Sequence, residues 1–328
     1  MNKKTIWITG GSTGIGKALA IKFSNEGWNV AISARQENLL NELSDKYENI
    51  TAFPLDVTDK LKCNEIFDQI KNKYHNIDIC FFSTGIWNPK KEKNIDVEQI
   101  EEVFKINFFG TLNSIKTVEK YFKDKKEGII TIVSSIAGYR GLPNSTGYGP
   151  SKSALSNLAE SLYFDFKKSN VRICLVSPGF IKTPMTDKNN FKMPFLKSAE
   201  YAANKIYNGL VKKNTFEIHF PKELTLILKL LSFLPSKIYF YLVGKLTKYQ
   251  KKFNFYQLKQ LIFLFYAVTI SFVFLNTAYL FSSSVTNLSL LDSLVNQNST
   301  IIKTIVIDPG HGGKDSGTMG TKRYKIYE

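Results

Sequence analysis

A short apolar strand, Thr5 to Thr9 (TIWIT), runs straight into Gly10-Gly11-Ser12-Thr13-Gly14-Ile15-Gly16, and a helical pattern follows from Lys17 to Gly27. Few folds use this order. A glycine-rich turn between strand and helix lets the backbone approach a pyrophosphate, and the helix N-terminus then supplies amide donors and a favourable dipole. Such a turn is weak evidence by itself. Set between a strand and a helix, with the spacing G-x-x-x-G-x-G, it becomes a strong dinucleotide signal.

The chain continues as alternating strands and helices. Further strands are predicted at Trp28 to Ser33, Ile50 to Leu55, Ile77 to Phe82, Ile129 to Val133, Val171 to Ser177 and Thr215 to Phe220. Helical patterns lie between them, including a long one from about Val97 to Lys123. This alternation implies an α/β fold, a parallel sheet with helices on both faces. The second strand ends in Ala34 and Arg35, with no acid before Glu37. An acid there would bind ribose hydroxyls and repel a 2′-phosphate, whereas Arg35 can meet one, so NADP(H) is favoured over NAD(H). The bland alternative is a solvated arginine opening the next helix. Asp56 can accept from an adenine amine, cap the following helix, or do both. Asn107 sits in KINFFGT among apolar neighbours and needs partners there, as a site residue or as a satisfied core amide.

A second constellation spans Ser135 to Lys152 (SIAGYRGLPNSTGYGPSK). Tyr148 and Lys152 are four apart, which on a helix stacks them on one face. Ser135 follows a buried strand and can converge with them. A phenol titrates near pH ~10, and a nearby ammonium lowers that value. Ser, Tyr and Lys together suit proton transfer at a carbonyl or alcohol oxygen. A surface tyrosine beside a solvated lysine is the plainer alternative. After Pro178-Gly179, the stretch Phe180 to Lys197 is a long apolar loop carrying Thr183, Met185 and Phe191, placed where substrate lids occur.

Charge qualifies this picture. The formal charge is +16, and the stretch from Lys222 to Leu291 holds eight lysines and one acid, Glu223. No helix-turn-helix or basic-aromatic repeat accompanies it, so nucleic acid is not the expected partner. A basic, apolar C-terminal region suits an anionic membrane surface. Cys63, Cys80 and Cys174 have no close spacing and read as buried thiols of a reducing compartment. With no N-terminal signal peptide, the first domain is expected in the cytosol.

These motifs together closely resemble the short-chain dehydrogenase/reductase superfamily, over about residues 3 to 250. Thr9 to Gly16 (TGGSTGIG) resembles its cofactor motif; Asn107, Ser135, Tyr148 and Lys152 match its catalytic tetrad; Asp56 matches its adenine-contacting residue; Pro178-Gly179 with Thr183 matches its nicotinamide-side motif. The resemblance implies a seven-stranded Rossmann-type doubly wound sheet, a homodimer or homotetramer, and hydride transfer at nicotinamide C4. It makes Tyr148 the acid–base group. Lys152 binds the nicotinamide ribose and lowers the tyrosine pKa, Ser135 polarises the substrate oxygen, and Asn107 holds a relay water. The implied cofactor contacts are Gly10, Ser12, Thr13, Gly14, Ile15, Gly16, Arg35, Asp56, Val57, Gly85, Tyr148, Lys152, Pro178, Gly179 and Thr183, with no metal. Where the family has N-N-A-G after the fourth strand, this chain has Phe82-Ser83-Thr84-Gly85. That departure leaves open how the strand edge is tied to its neighbours.

Four segments are expected: the Rossmann catalytic domain at 1–221, a basic hydrophobic extension at 222–255, a transmembrane or signal-like segment at 256–284, and a tail at 285–328. The extension resembles that of some bacterial members and suits a cover for a lipophilic pocket or a membrane contact. Leu261 to Phe281 is 21 residues without a charge, long enough to span a bilayer, and Lys251, Lys252 and Lys259 before it place the catalytic domain on the cytoplasmic side of an inner membrane. Ile301 to Gly317 (IIKTIVIDPGHGGKDSG) resembles the opening of a zinc-dependent N-acetylmuramoyl-L-alanine amidase, in which His311 would be the first zinc ligand and Glu328 falls near the second. A hydrolytic zinc needs about three protein ligands, and His75 and His219 lie in the dehydrogenase part, so no amidase activity is expected. The tail thus reads as a fusion or a gene-boundary error. The leading functional expectation is an NADP-dependent oxidoreductase acting on a small, lipophilic carbonyl or alcohol. The alternatives are a catalytically idle nucleotide-binding module at a membrane, and a cell-wall amidase fusion.

Overall fold

In the computed structural model, which describes residues 3–88, 95–189 and 191–247, seven strands among the described residues form one sheet. They are β1 (Thr5–Thr9), β2 (Asn29–Ser33), β3 (Ile50–Ala52), β4 (Ile79–Phe82), β5 (Ile129–Val133), β6 (Arg172–Pro178) and β7 (Glu217–Phe220). All neighbours pair in parallel, in the order β3-β2-β1-β4-β5-β6-β7. The chain steps outward from β1 to β3, then returns to the other side of β1 with β4. That reversal opens a crevice beyond the C-terminal ends of β1 and β4. The helices are α1 (Gly14–Asn25), α2 (Glu37–Lys46), α3 (Lys60–Tyr74), α4 (Val97–Phe104), α5 (Gly110–Lys125), α6 (Tyr148–Lys167), α7 (Ala199–Val211), α8 (Lys222–Ser232) and α9 (Ser236–Leu246).

Side-chain alternation explains the two helical layers. Ile6, Ile8, Val30 and Ile32 pack with Leu19, Phe23 and Ile206 on one face, under α1 and α7. Trp7 and Ala31, one residue out of step, pack with Phe67, Ile115, Phe122 and Leu155 on the other face, under α3, α5 and α6. Each fully buried large apolar side chain contributes about 1.5–3 kcal/mol. Trp7 also satisfies its indole, Nε1 donating to Ser33 Oγ at 2.9 Å.

Two expected elements differ in form. The regular ladder of β3 ends at Ala52, three residues before the expected end of the strand. The chain still follows β2 as far as Leu55, through Phe53 N to Ile32 O (2.9 Å) and Leu55 N to Ala34 O (3.0 Å). The long helix expected from Val97 to Lys123 is broken by a π-helical turn, Lys105–Phe109, between α4 and α5.

A compact unit covers Met1–Lys252 and includes the helical pair α8 and α9. Leu231, Tyr239 and Val243 form its small core, with Leu142 packed against it. Arg140 joins the pair to the loop after β5. Its guanidinium donates to Ser232 O (3.0 Å) and Leu234 O (2.6 Å) and lies 4.1 Å from the centre of the Tyr239 ring. Tyr139 and Lys229 both bind the Glu217 carboxylate, which fixes α8 to β7. All three cysteines are buried, and burial pushes Cys63 up to about 11 and Cys174 up to about 12, so they are unreactive thiols. Among the described residues no helix is long and apolar enough to cross a membrane. The apolar run at 261–281 and the amidase-like stretch with His311 and Glu328 lie outside the described residues.

The strand edge left open by Phe82-Ser83-Thr84-Gly85 is tied by Ser83. Its Oγ donates to Thr9 O at 2.6 Å, and its amide donates to the same oxygen at 3.2 Å. Ser83→Ala is expected to cost about 1 kcal/mol, the usual net worth of one such bond, read as a lower midpoint in urea unfolding. An unchanged midpoint would show that the backbone bond alone holds this edge.

Candidate functional site

A groove of about 600 Å³ runs along the C-terminal ends of the strands. Gly10, Ser12, Thr13, Gly14, Ile15, Gly16, Arg35, Asp56, Val57, Gly85, Ser135, Tyr148, Lys152, Pro178, Gly179 and Thr183 all line it. The sheet reversal thus brings together nearly every residue singled out by sequence. Asn107 stands apart: it is fully buried, behind Gly85.

The glycine turn is shaped by contact. Gly10 has φ +72°, and a Cβ on Gly16 would lie 2.2 Å from the Gly10 carbonyl oxygen, so the first turn of α1 sits directly on the loop. Thr13 caps α1 with extended backbone and makes no side-chain cap bond, and the first turn holds no acid. The amide donors and positive end of the helix dipole are therefore left for an anion in the groove. Ser12 Oγ donates to Gln36 Oε1 at 2.8 Å, drawing the turn toward the end of β2, where Arg35 is exposed. Asp56 does not cap α3. That cap is Asp59, accepting from Lys62 N, while Asp56 Oδ1 accepts from Thr58 N at 2.9 Å. Asp56 is too early in the chain to reach the helix amides, and its carboxylate remains exposed along the groove.

Tyr148 opens α6 and Lys152 follows one turn later. Lys152 is 3% exposed. Its Nζ donates to Val133 O at 2.9 Å and lies 5.7 Å from the centre of the Tyr148 ring. Burial lowers the lysine pKa to about 8. Ser134 Oγ donates to Lys152 O at 2.7 Å, which locks the end of β5 to α6. Ser135 caps a short 3-10 turn, Ile136–Gly138, its Oγ accepting from Ala137 N at 3.2 Å. Asn107 lies in the π turn, where a widened backbone commonly re-aims a functional side chain. Its Oδ1 accepts from Ile86 N (2.7 Å), and its Nδ2 donates to Ile86 O (3.1 Å) and Ser151 Oγ (3.1 Å). The amide is thus satisfied by protein, and it fixes the Gly85-Ile86 turn against α6.

A second cavity of about 240 Å³ adjoins the groove and shares Ser135, Tyr148, Gly179, Met185 and Thr186 with it. Its other walls include Trp87, Ile136, Leu142, Pro143, Phe180 and Phe191. The expected apolar loop after Gly179 therefore forms one side of it. The ends of that loop are held by a parallel bridge between Ile181 and Lys197, with Lys182 N to Lys197 O at 2.8 Å. Sequence reasoning passed over Trp87, Gln36 and Ser151. Trp87, two residues past Gly85, has its ring 6.1 Å from that of Tyr148 and was findable from its place just beyond a strand end. Among the described residues no group of three His, Cys, Asp or Glu is placed to hold a metal.

A phenol and an ammonium thus stand where a polar groove meets an apolar cavity, an arrangement able to pass a proton to an oxygen held in the cavity. Because Lys152 titrates near 8 rather than near ~10.4, its charge is present below that pH and lost as pH rises through it. Affinity of the groove for NADPH is expected to fall across that range in a fluorescence titration, and Lys152→Arg, which stays charged, is expected to flatten the fall. A flat profile for the unmodified protein would contradict the depressed pKa.

The family profile described as short chain dehydrogenase matches residues 4–194. An uncharacterized oxidoreductase of Myxococcus xanthus is 29% identical over 243 residues, 73% of this chain and 96% of that protein. The 3-oxoacyl-(acyl-carrier-protein) reductase FabG of Thermotoga maritima is 31% identical over 189 residues, 56% of this chain and 77% of that protein. Among solved structures, ElxO with NADP bound is similar with a TM-score of 0.59 at 29% identity, over 66% of this chain and 97% of that one. A tyrosine-to-phenylalanine variant of ElxO with NADPH bound matches with the same TM-score and identity, over 66% of this chain and 95% of that one.

Proposed function

Since the chain belongs to the short chain dehydrogenase family and is an oxidoreductase of alcohol or carbonyl groups, we propose that it uses NADP(H), that Tyr148 is its acid–base group, and that its substrate is lipophilic. The placement of Tyr148 on the wall shared by groove and cavity, with Lys152 lining the groove one helical turn away, carries this reading. The groove residues fit a dinucleotide: a glycine turn too tight for a Cβ, an α1 N-terminus without a side-chain cap, and a basic side chain at the end of β2. Once bound, the nicotinamide nucleotide supplies or accepts the hydride.

The rest falls to this chain. The turn and the N-terminus of α1 hold the pyrophosphate, and Arg35, with no acid beside it, holds the 2′-phosphate. Lys152 holds the nicotinamide ribose, and its charge favours the Tyr148 phenolate. Tyr148 gives a proton to the carbonyl oxygen, or takes one from the alcohol, while Ser135 fixes that oxygen by a hydrogen bond. Asn107 steadies the Gly85-Ile86 turn against α6. Trp87, Leu142, Pro143, Phe180 and Phe191 give the substrate cavity apolar walls that exclude water. The name of the Thermotoga relative, a 3-oxoacyl reductase, is consistent with a ketone carrying an apolar tail.

NADPH is expected to bind more tightly than NADH, and Arg35→Asp to level or reverse the preference. The bound NADP of ElxO supports that expectation. Equal affinities for the two nucleotides in the unmodified protein would remove it.

Tyr148→Phe takes away only the phenolic hydroxyl. Turnover is expected to fall by about 10²–10⁴-fold, the usual worth of a positioned acid–base group, with NADPH affinity nearly unchanged. A tyrosine-to-phenylalanine variant of the similar protein ElxO has NADPH bound. Substantial turnover by the Phe variant, with chemistry rate-limiting, would reassign the acid–base role.

A further inference from the structure

We propose that the outer face of α8 and α9 is a seat for an anionic lipid surface. Six large apolar side chains of the pair and its linking turn stand exposed, Leu226, Ile227, Leu230 and Phe233 on the α8 side and Phe240 and Leu246 on α9. Phe233 is 85% exposed and Leu246 72%. Leu226, Ile227, Leu230 and Phe233 follow an i, i+1, i+4, i+7 spacing, which makes one stripe along α8. The opposite side of that helix buries Leu224, Thr225 and Leu231. The α8 helix is therefore apolar on both sides, one turned to the protein and one bare. A bare patch of this kind marks an interaction site.

Charge selects the occupant. Lys222, Lys237 and Lys245 are exposed on the same pair of helices, and Glu223 is its only acid. Lysine stems lie along an apolar surface while their ammonium groups reach lipid phosphates, so apolar side chains and lysines together suit the headgroup boundary of an anionic bilayer. A second copy of the chain would bring like charges together in a two-fold contact. The chain beyond Lys252 has more lysine and arginine than acid, so it brings no net negative charge to meet these lysines.

The seat is firmly mounted. Arg140 grips the turn between the helices, and Tyr239 donates through its hydroxyl to Gly141 O at 2.7 Å. Leu142, next in sequence, packs against the core of the pair and also lines the apolar cavity. The inference concerns binding to lipid and stands apart from the reaction assigned above.

The test uses the full chain with a polarity-sensitive fluorophore on a single added cysteine. Phe233→Cys and Phe240→Cys report on the face, and Leu61→Cys, 76% exposed on α3, is the control. The native cysteines are buried and stay unlabelled. Vesicles of phosphatidylcholine with phosphatidylglycerol are expected to shift the emission to the blue at both face positions and not at Leu61→Cys. Salt near 1 M, where the Debye length is about 3 Å, is expected to weaken the shift. Absence of a shift at the face positions overturns the proposal. So does an equal shift with phosphatidylcholine alone, or an equal shift at the control. Emission already blue before vesicles are added overturns it too, by giving the face to a second copy or to the chain's own tail.

Discussion

A buried ammonium is the most demanding requirement of this structure. Removing such a cation from water costs several kcal/mol unless the protein compensates it. The compensation for Lys152 is the carbonyl of Val133, which is available because β5 ends at that residue. The bond is answered from the other side, where Ser134 Oγ holds the carbonyl of Lys152 itself. Strand end and helix therefore fix each other in both directions, and Tyr148 inherits its place from the turn below it. A pKa lowered to about 8 is the trace of the desolvation that remains.

Around that point the topology does the rest. The sheet changes direction between β1 and β4, and the loops that follow those strands face one another across the crevice. One side is the glycine turn leading into α1. The other is the Ser83 to Ile86 turn, tied to Thr9 by Ser83 and to α6 through Asn107 and Ser151. The π turn that carries Asn107 costs one regular helical bond pattern and gains an amide aimed at the backbone of Ile86.

Much of this is legible in the amino-acid sequence itself. Gly10 to Gly16 between strand and helix, and the spacing of Ser135, Tyr148 and Lys152, depend on local geometry, and local geometry is what sequence spacing encodes. The alternation of strands with helices announced a parallel sheet covered on both faces, and the family resemblance implied its seven strands. What escaped has a common physical cause. A π turn adds one residue without disturbing the apolar pattern, so Val97 to Lys123 read as one helix. The tie made by Ser83 depends on a carbonyl 74 residues away. The choice of Asp59 over Asp56 as cap rests on a register difference of three residues. The partnership of Leu142 with α9 is a tertiary contact that no local pattern announces.

Leu142 makes the helical pair more than an appendage. One side chain belongs at once to the core of α8 and α9 and to the wall of the apolar cavity, and Arg140 beside it is fastened to the turn between those helices. A change at Leu142 would therefore be felt twice, in the packing of the two helices and in the wall of the cavity, while the strands, the glycine turn and the buried lysine, none of which it touches in that cluster, would keep their places.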